Sequence, residues 1–379
     1  MSVQSLNSEN SGFYVVSLSP SDDDKKTGVI FAGSQGYELS KWGIPGEAHR
    51  TYIVTDVKAS DDIIDAEVQA FIAKLNKHKP AIILTLGNKA LQILCPHLAT
   101  KKKLSIKKRE AFKASLLSYY SGSLCTSPLL GYEHYVIPTL SVADVWKQWD
   151  QRDEVISIDI ARAKEEYVYC KTTKHLKPLP SYNFHLNPDY DFLVQYLHNI
   201  GHHSHGTKVP ISVDIETIRP KKKSDIFVQH PGYPYTIALA PSPSEAVSFK
   251  FWDYTSEQLV QICRELQFIF TNCPLIGQNF FSFDINMLEA LMGFSFNLDN
   301  IFDTKLRHHI LWPELPHKLQ FLTKQYTRQP YYKDEGKNWS PRSKTKTLEL
   351  LRYGALDTVV TYEVFNGQEQ EFLERPGLK

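Results

Sequence analysis

Short, β-rich apolar runs alternate with segments of helical period along most of this 379-residue chain, and this alternation restricts the fold more than any other feature. Residues 13–18, 51–57 and 81–86 are strand candidates. Ser60 and Asp61 are helix-capping residues, and Ile63, Ile64, Val68, Phe71, Ile72 and Leu75 then recur at helical spacing. Gly87 breaks the third run and residues 88–94 read as helix, while residues 19–28, with Pro, Ser and three aspartates, read as a loop. Residues 167–180 lack clear period and read as a connection. The alternation then resumes. Helices are expected over 190–200 and 256–270, the latter with Leu259, Ile262, Cys263, Leu266 and Ile269 on one face. Strands are expected over 209–215, 235–239, 246–251 and at Leu275-Ile276, with Pro241 and Pro243 in a turn, and further helices over 282–292, 303–311 and 346–373. Strands alternating with helices call for a largely parallel sheet covered on both faces, so the fold class is α/β. The length fits two domains, with boundaries expected at 1–170 and 171–379.

Composition narrows the class by exclusion. With 42% hydrophobic and 22% charged residues the chain is neither a disordered tail, a collagen-like fibre nor a disulfide scaffold. No apolar run approaches the ~18–20 residues of a membrane helix. The polar residues 1–12 do not read as a signal peptide. Five cysteines, odd in number and without a C-x-x-C pair, fit reduced thiols and a cytoplasmic setting. His202, His203 and His205 precede an apolar segment and read as a solvated linker in preference to a metal site. The net charge of +1 specifies no partner, because local charge is uneven. Lys101, Lys102, Lys103, Lys107, Lys108 and Arg109 form one basic run, either a solvated loop or a DNA-contacting patch.

Three acidic elements stand out. The run 209–215 leads into Asp214-Ile215-Glu216, and residues i and i+2 of a strand share a face, so both carboxylates project together. Unpaired, they would repel and lose hydration; a divalent cation removes that conflict. Asn279-Phe280-Phe281-Ser282-Phe283-Asp284 lies where a short strand gives way to a helix, placing Asp284 in a first turn that favours an anion. Tyr353 and Asp357 are separated by one helical turn and share a face. Each element alone has an ordinary reading, as a chance match, a cap or an amphipathic helix.

In order, D-x-E, N-x3-F-D and Y-x3-D resemble the three motifs of the DnaQ-like (DEDD) 3′→5′ exonucleases in their Tyr-containing variety, above all the proofreading domain of bacteriophage family A DNA polymerases. LWPELPHKLQFL and YYKDEGKNW, within 311–339, are similar to those phage enzymes too, and the resemblance covers about residues 175–372. It implies a ribonuclease H-like domain with a mixed sheet and two divalent cations, Mg²⁺ or Mn²⁺, held by Asp214, Glu216, Asp284 and Asp357. In that scheme Asp214 bridges both ions, and Glu216 and Asp357 hold the ion that activates water. Asp284 places the second ion largely through water, Tyr353 orients the attacking water, and Asn279 supports the terminal nucleotide. Such hard ions take carboxylate and water oxygens, and a pair ~3.5–4 Å apart serves both the attacking and the leaving oxygen. Asp303-Thr304 reads as a helix start or a supporting group. Residues 318–352 hold nine Lys or Arg against three acids, interleaved with Phe321, Tyr326, Tyr331, Tyr332 and Trp339, a composition that suits phosphates and unpaired bases. Asn279, Phe283, Lys333, Lys337 and Trp339 are the candidates for substrate binding.

FYVVSLSPSDDDKKTGVIFAGSQGYELSKWGI, TYIVTDVKAS, PAIILTLGNKALQIL and YVIPTLS together resemble the uracil-DNA glycosylase superfamily, particularly its family 4 and 5 branch, across about residues 12–165. A three-layer α/β domain is implied. The catalytic positions depart from that family: Leu18 stands where its GE-x-PG motif has the acid, Pro138-Thr139-Leu140-Ser141 lacks the His of the late motif, and the iron–sulfur cysteines are absent. Leucine performs no acid–base work, so a glycosylase-like scaffold without that activity is expected, binding DNA or a protein instead. Asp22, Asp23 and Asp24 are candidate replacement acids, though a solvated loop is the plainer reading.

The expectation is a 3′→5′ exonuclease acting on single-stranded or frayed DNA ends, proofreading for a separately encoded polymerase acting in trans, in preference to the excised front end of a longer enzyme. The alternatives are an RNA-trimming exonuclease of the RNase D/T kind, and a non-catalytic module that binds DNA or tethers a polymerase.

Overall fold

The computed structural model describes residues 9–32, 34–99, 116–141, 149–218, 232–333, 344–375 and 377. The basic run Lys101 to Arg109, Lys337 and Trp339 lie outside the described residues. The chain divides into two compact units, Met1–Leu179 and Pro180–Lys379. The division falls later than the expected 170/171 because the stretch read as a connection is helical: Trp149–Thr173 is one helix. Its Ile156, Ile160, Ala163, Tyr167 and Cys170 are buried at four- and three-residue intervals, and Tyr167 stacks on Phe13 with ring centroids 5.3 Å apart.

In the first unit, β1 (Phe13–Ser17), β2 (His49–Tyr52), β3 (Ile82–Leu86) and β4 (Tyr135–Thr139) form a parallel sheet in the order β2-β1-β3-β4. Side chains alternate across it with period two. Phe13, Val15, Ile82, Leu84, Tyr135 and Ile137 enter one core with the Trp149–Thr173 helix. Tyr14, Val16, Ile83 and Val136 enter a second core with Phe71 and Leu75 of the Asp61–His78 helix and Ala90, Leu91 and Leu94 of the Asn88–Leu94 helix. The result is three layers. The second strand begins earlier than the apolar run suggests because fully buried His49 lies against Tyr14 within the sheet.

Residues 19–28 are not an open loop. Ser21 caps a short helix, Asp22–Thr27, through a reciprocal capping box with Asp24, and Gly28 closes it in the left-handed conformation. Asp24 is fully buried. Its Oδ2 accepts from the Ser21 amide and hydroxyl, both at 2.7 Å, and from the Tyr52 hydroxyl at 2.6 Å, while Oδ1 accepts from the Ala32 amide at 2.5 Å. Leu18, in the position of the glycosylase acid, packs on the second core, and its carbonyl accepts from the amides of Ile53 and Val54.

The second unit has a six-stranded mixed sheet. Its strands are β5 (Asn183–Leu186), β6 (Ile211–Ile218), β7 (Tyr233–Ser242), β8 (Glu245–Lys250), β9 (Leu275–Gly277) and β10 (Ile301–Asp303), in the order β10-β9-β6-β7-β8-β5. The β6–β7 and β7–β8 pairs are antiparallel and the others parallel. Pro241 lies inside β7 rather than in the turn, close to the irregular pairing between Leu239 and Ser242. The Tyr190–Thr207 and Ser256–Asn272 helices cover one face, joining Ile211, Val213, Ile215, Ile237, Leu239, Val247 and Phe249 in a single core. The 31-residue helix Lys344–Glu374 packs against β5 to β9. His202, His203 and His205 are not a linker; they occupy the exposed side of the Tyr190–Thr207 helix, and His202 stacks on Phe268. No helix among the described residues is long and apolar enough to cross a membrane.

Because Asp24 satisfies four donors at once, its removal takes the acceptor from two amides and two hydroxyls. Asp24→Ala should destabilise the first unit by about 3 kcal/mol, read from its urea transition; a shift below about 0.5 kcal/mol would show that water replaces the carboxylate without cost.

Candidate metal centre

With Ile211, Val213 and Ile215 committed to the core, period two turns Ser212, Asp214 and Glu216 to the opposite face of β6. The helix Lys344–Glu374 packs against that strand and carries Asp357 to the same place. Asp214 pairs with small Ala238, Glu216 pairs with Thr236, and the β6–β7 register shifts immediately after Glu216. Carboxylate oxygens of Asp214, Glu216 and Asp357 lie within 4.8 Å of one another. Asp284 opens the Asp284–Met292 helix, and its Oδ1 accepts from the Ile215 amide at 3.0 Å, which fixes the fourth carboxyl to the backbone between the two β6 acids.

The turn before Asp284 is held by Asp303. Asp303 Oδ1 accepts from the Asn279 amide at 3.0 Å and the Lys305 amide at 2.9 Å, and Oδ2 accepts from the Phe281 amide at 3.3 Å. It is thus both a helix cap and a clamp on the acidic loop. The clamp is needed because Asn279 adopts a positive φ of 61°, a conformation that costs energy for a residue with a side chain. Gly277 is also required by geometry: a Cβ there would meet Phe280 ring carbons at 2.4–2.6 Å. Asn279 Oδ1 accepts from Lys305 Nζ at 2.7 Å, and Phe283 is half-buried against the core. Lys305 had no signal in the sequence, since only the β9–β10 pairing brings it to Asn279.

Four carboxyls in so small a volume oppose one another's ionisation. Burial, then the fields of Asp284, Asp357 and Glu216, push Asp214 well above the usual carboxylate range. Burial and Asp357 bring Glu216 to about 7, and burial brings Asp284 to about 8. For Asp284 the helix-start position and the Ile215 amide favour the anion, yet desolvation outweighs them. Lys333 is the cation that the described residues set against this charge. Its Nζ donates to Asp357 Oδ2 at 2.5 Å and to the Tyr353 hydroxyl at 3.1 Å. Burial and the Asp357 charge raise Tyr332 and Tyr353 above the ordinary phenol range, so both stay protonated. Tyr353 can therefore orient a water but cannot deprotonate one as a phenolate.

The donor set fits hard divalent cations. Asp214 Oδ2 and Asp357 Oδ1 are buried and have no hydrogen-bond partner among the described residues, a costly state that metal coordination removes. Residues 193–371 match the family model of the 3′-5′ exonuclease of the DNA polymerase A type. The second unit is a 3′-5′ exonuclease domain. Its mixed sheet belongs to the ribonuclease H-like fold, and exonuclease domains of this type use divalent metals. Residues 4–158 match the uracil DNA glycosylase superfamily, so a glycosylase-like domain precedes the exonuclease domain in the chain. A search of curated proteins found no match.

Of the five residues expected at the metal centre, Asp214, Glu216 and Asp357 converge directly, Asp284 joins them through Ile215, and Tyr353 is linked to Asp357 through Lys333. Lys333, expected to bind substrate, stands on the acids themselves. Asn279 is tied to Lys305 at the edge of the loop.

Raised carboxyl pKa values mean that stability is complete below the unfolded pKa of about 4 and is lost as pH climbs through the folded values. In EDTA the melting temperature of the second unit should fall between about pH 5 and 8.5, and Asp284→Asn, which still accepts from Ile215, should flatten the fall. An equally steep fall in that variant would mean that Asp284 does not carry the strain.

Proposed function

We propose that the chain is a metal-dependent 3′→5′ exodeoxyribonuclease that removes nucleotides singly from single-stranded or frayed DNA ends, releasing nucleoside monophosphates. The observation that carries this reading is the convergence of the Asp214, Glu216 and Asp357 carboxylates, two of them with buried unpartnered oxygens, beside the anchored Asp284. Divalent ions, Mg²⁺ or Mn²⁺, supply a nucleophile at neutral pH and charge stabilisation at the leaving oxygen. The protein's own groups do the rest. Asp214, Glu216, Asp284 and Asp357 hold the ions. Neutral Tyr353 orients the water for attack in line with the departing 3′ oxygen. Asn279, positioned by Lys305 and Asp303, meets the terminal nucleotide. Proofreading beside a DNA polymerase is the role that suits a trimming enzyme of this family.

The first unit serves as a binding module for DNA or a protein partner. Leu18 is engaged in the core and Asp24 is saturated with donors, so neither supplies a free acid of the kind glycosidic cleavage needs.

Asp214→Ala and Asp284→Ala should each reduce hydrolysis of 5′-labelled single-stranded DNA by more than the ~10–100-fold typical of losing an outer-sphere partner, with circular dichroism unchanged. EDTA should stop the wild-type enzyme and Mn²⁺ or Mg²⁺ should restore it. Undiminished cleavage by the double variant would sink the proposal. On uracil-containing duplex the protein should leave no alkali-labile sites; their appearance would restore glycosylase activity to the first unit.

A further inference from the structure

Lys333 does more than a strand-binding lysine requires. Its side chain is only 16% exposed, and the Asp357 side chain it bonds is 7% exposed. Beyond its bonds to Asp357 and Tyr353, its ammonium lies 5.2 Å from the Tyr332 ring centroid and 5.0 Å from that of Tyr353. The seat is thus one carboxylate oxygen plus two neutral aromatic groups. The aromatic faces attract a cation whether or not the carboxylate is engaged elsewhere.

We propose that Lys333 is a resident counter-cation of the metal centre, bonded to Asp357 in the metal-free protein and exchanged onto the scissile phosphate when divalent ions take the carboxylates. This rests on the exonuclease reading above. Asp357 cannot serve both cations fully. One of its oxygens is bonded to Lys333 while the other has no hydrogen-bond partner among the described residues, and a divalent charge arriving there repels the ammonium. Tyr332 and Tyr353 keep the displaced ammonium beside the site. A lysine suits such a move: its charge is compact and its stem has four rotatable methylenes. The nearest new anion is the phosphate undergoing attack, whose negative charge the ammonium stabilises. Lys333 forms no covalent bond and keeps its three protons, while the water oxygen bonds to phosphorus and the 3′ oxygen leaves. Its nearness to Tyr353 places it on the same side as the oriented water.

Two measurements on the full chain test this. The first is Mn²⁺ affinity without DNA, from the paramagnetic resonance of free Mn²⁺. The second is single-turnover excision from 5′-labelled single-stranded DNA at saturating metal and DNA. Lys333→Met should bind Mn²⁺ about tenfold more tightly, since a competing positive charge is gone. The same variant should cleave about a hundredfold more slowly, because a charge-stabilising donor is lost in the transition state. Lys333→Arg should keep near-wild-type Mn²⁺ affinity and recover part of the rate. If Lys333→Met fails to fold without metal, Lys333→Gln carries both measurements, keeping a donor for Asp357 without the charge. Unchanged Mn²⁺ affinity would overturn the exchange. An unchanged maximal rate with weaker DNA binding would reduce Lys333 to a strand contact and overturn its role at the phosphate. If the wild type neither binds Mn²⁺ nor cleaves, the metal-centre reading fails first and takes the proposal with it; wild-type binding and cleavage with indifferent variants reject the Lys333 proposal alone.

Discussion

The second unit is organised around the enforced proximity of carboxyl groups that repel one another. Left to themselves, Asp214, Glu216, Asp284 and Asp357 would separate into water, because ions close together in a poorly solvated volume oppose one another's charge. Separation is prevented by apolar burial elsewhere. Ile211, Val213 and Ile215 commit β6 to the core, and Ala355, Leu356, Val359 and Val360 are buried around Asp357 on the long helix. The repulsion is then relieved in three ways: protonation of the raised carboxyls, the Ile215 amide on Asp284, and the Lys333 ammonium on Asp357. Each is partial, which suits a site meant to receive further positive charge.

The ionisation of Asp284 shows which effect dominates. A carboxylate at a helix start gains about 0.3–1 kcal/mol from the dipole, and a bond from a backbone amide favours the same form. Its rise to about 8 nevertheless follows from burial, so desolvation is the larger effect at this depth. The protonation of Tyr353 has the same origin: burial first, then the charge of Asp357, keeps its hydroxyl neutral.

What was legible in the sequence was local. The i, i+2 spacing of Asp214 and Glu216 and the i, i+4 spacing of Tyr353 and Asp357 are consequences of strand and helix period, and they survive into the structure because one face of each element is committed to a core. The α/β alternation gave the two sheets for the same reason. What escaped depends on pairing between distant segments. Lys333 lies 24 residues from Asp357, and only the packing of residues 332–333 beside the long helix identifies it as a counter-ion. Asp303 clamps Asn279 because β10 pairs with β9, and strands as short as β10 leave no periodic trace. β5 is a half-exposed edge strand, and β2 is built on His49 and Arg50, residues that do not announce a strand. The Trp149–Thr173 helix was hidden by charged residues, although its buried positions keep helical spacing.

Four aspartates show how residues of one type come to differ in purpose. Asp24 spends both oxygens on four donors, and Asp303 spends both on three backbone amides. Such carboxylates shape a loop and have little capacity left for a ligand. Among the described residues, Asp214 on β6 retains a buried oxygen with no partner, as does Asp357 on its Oδ1. An unpaired buried oxygen costs on the order of 1–3 kcal/mol, more for a charged group, and a fold keeps that cost where something outside the chain relieves it. The same criterion separates the two units. In the first, the position of the family's acid holds Leu18, packed into the core, and the neighbouring acid is saturated. Its sheet and layers depend on period-two burial, which needs no carboxylate at that position. In the second, unsatisfied oxygens remain on Asp214, within a strand whose alternate residues are fixed in the core, and on Asp357 of the helix packed against it, and the capacity to hold a cation remains with them.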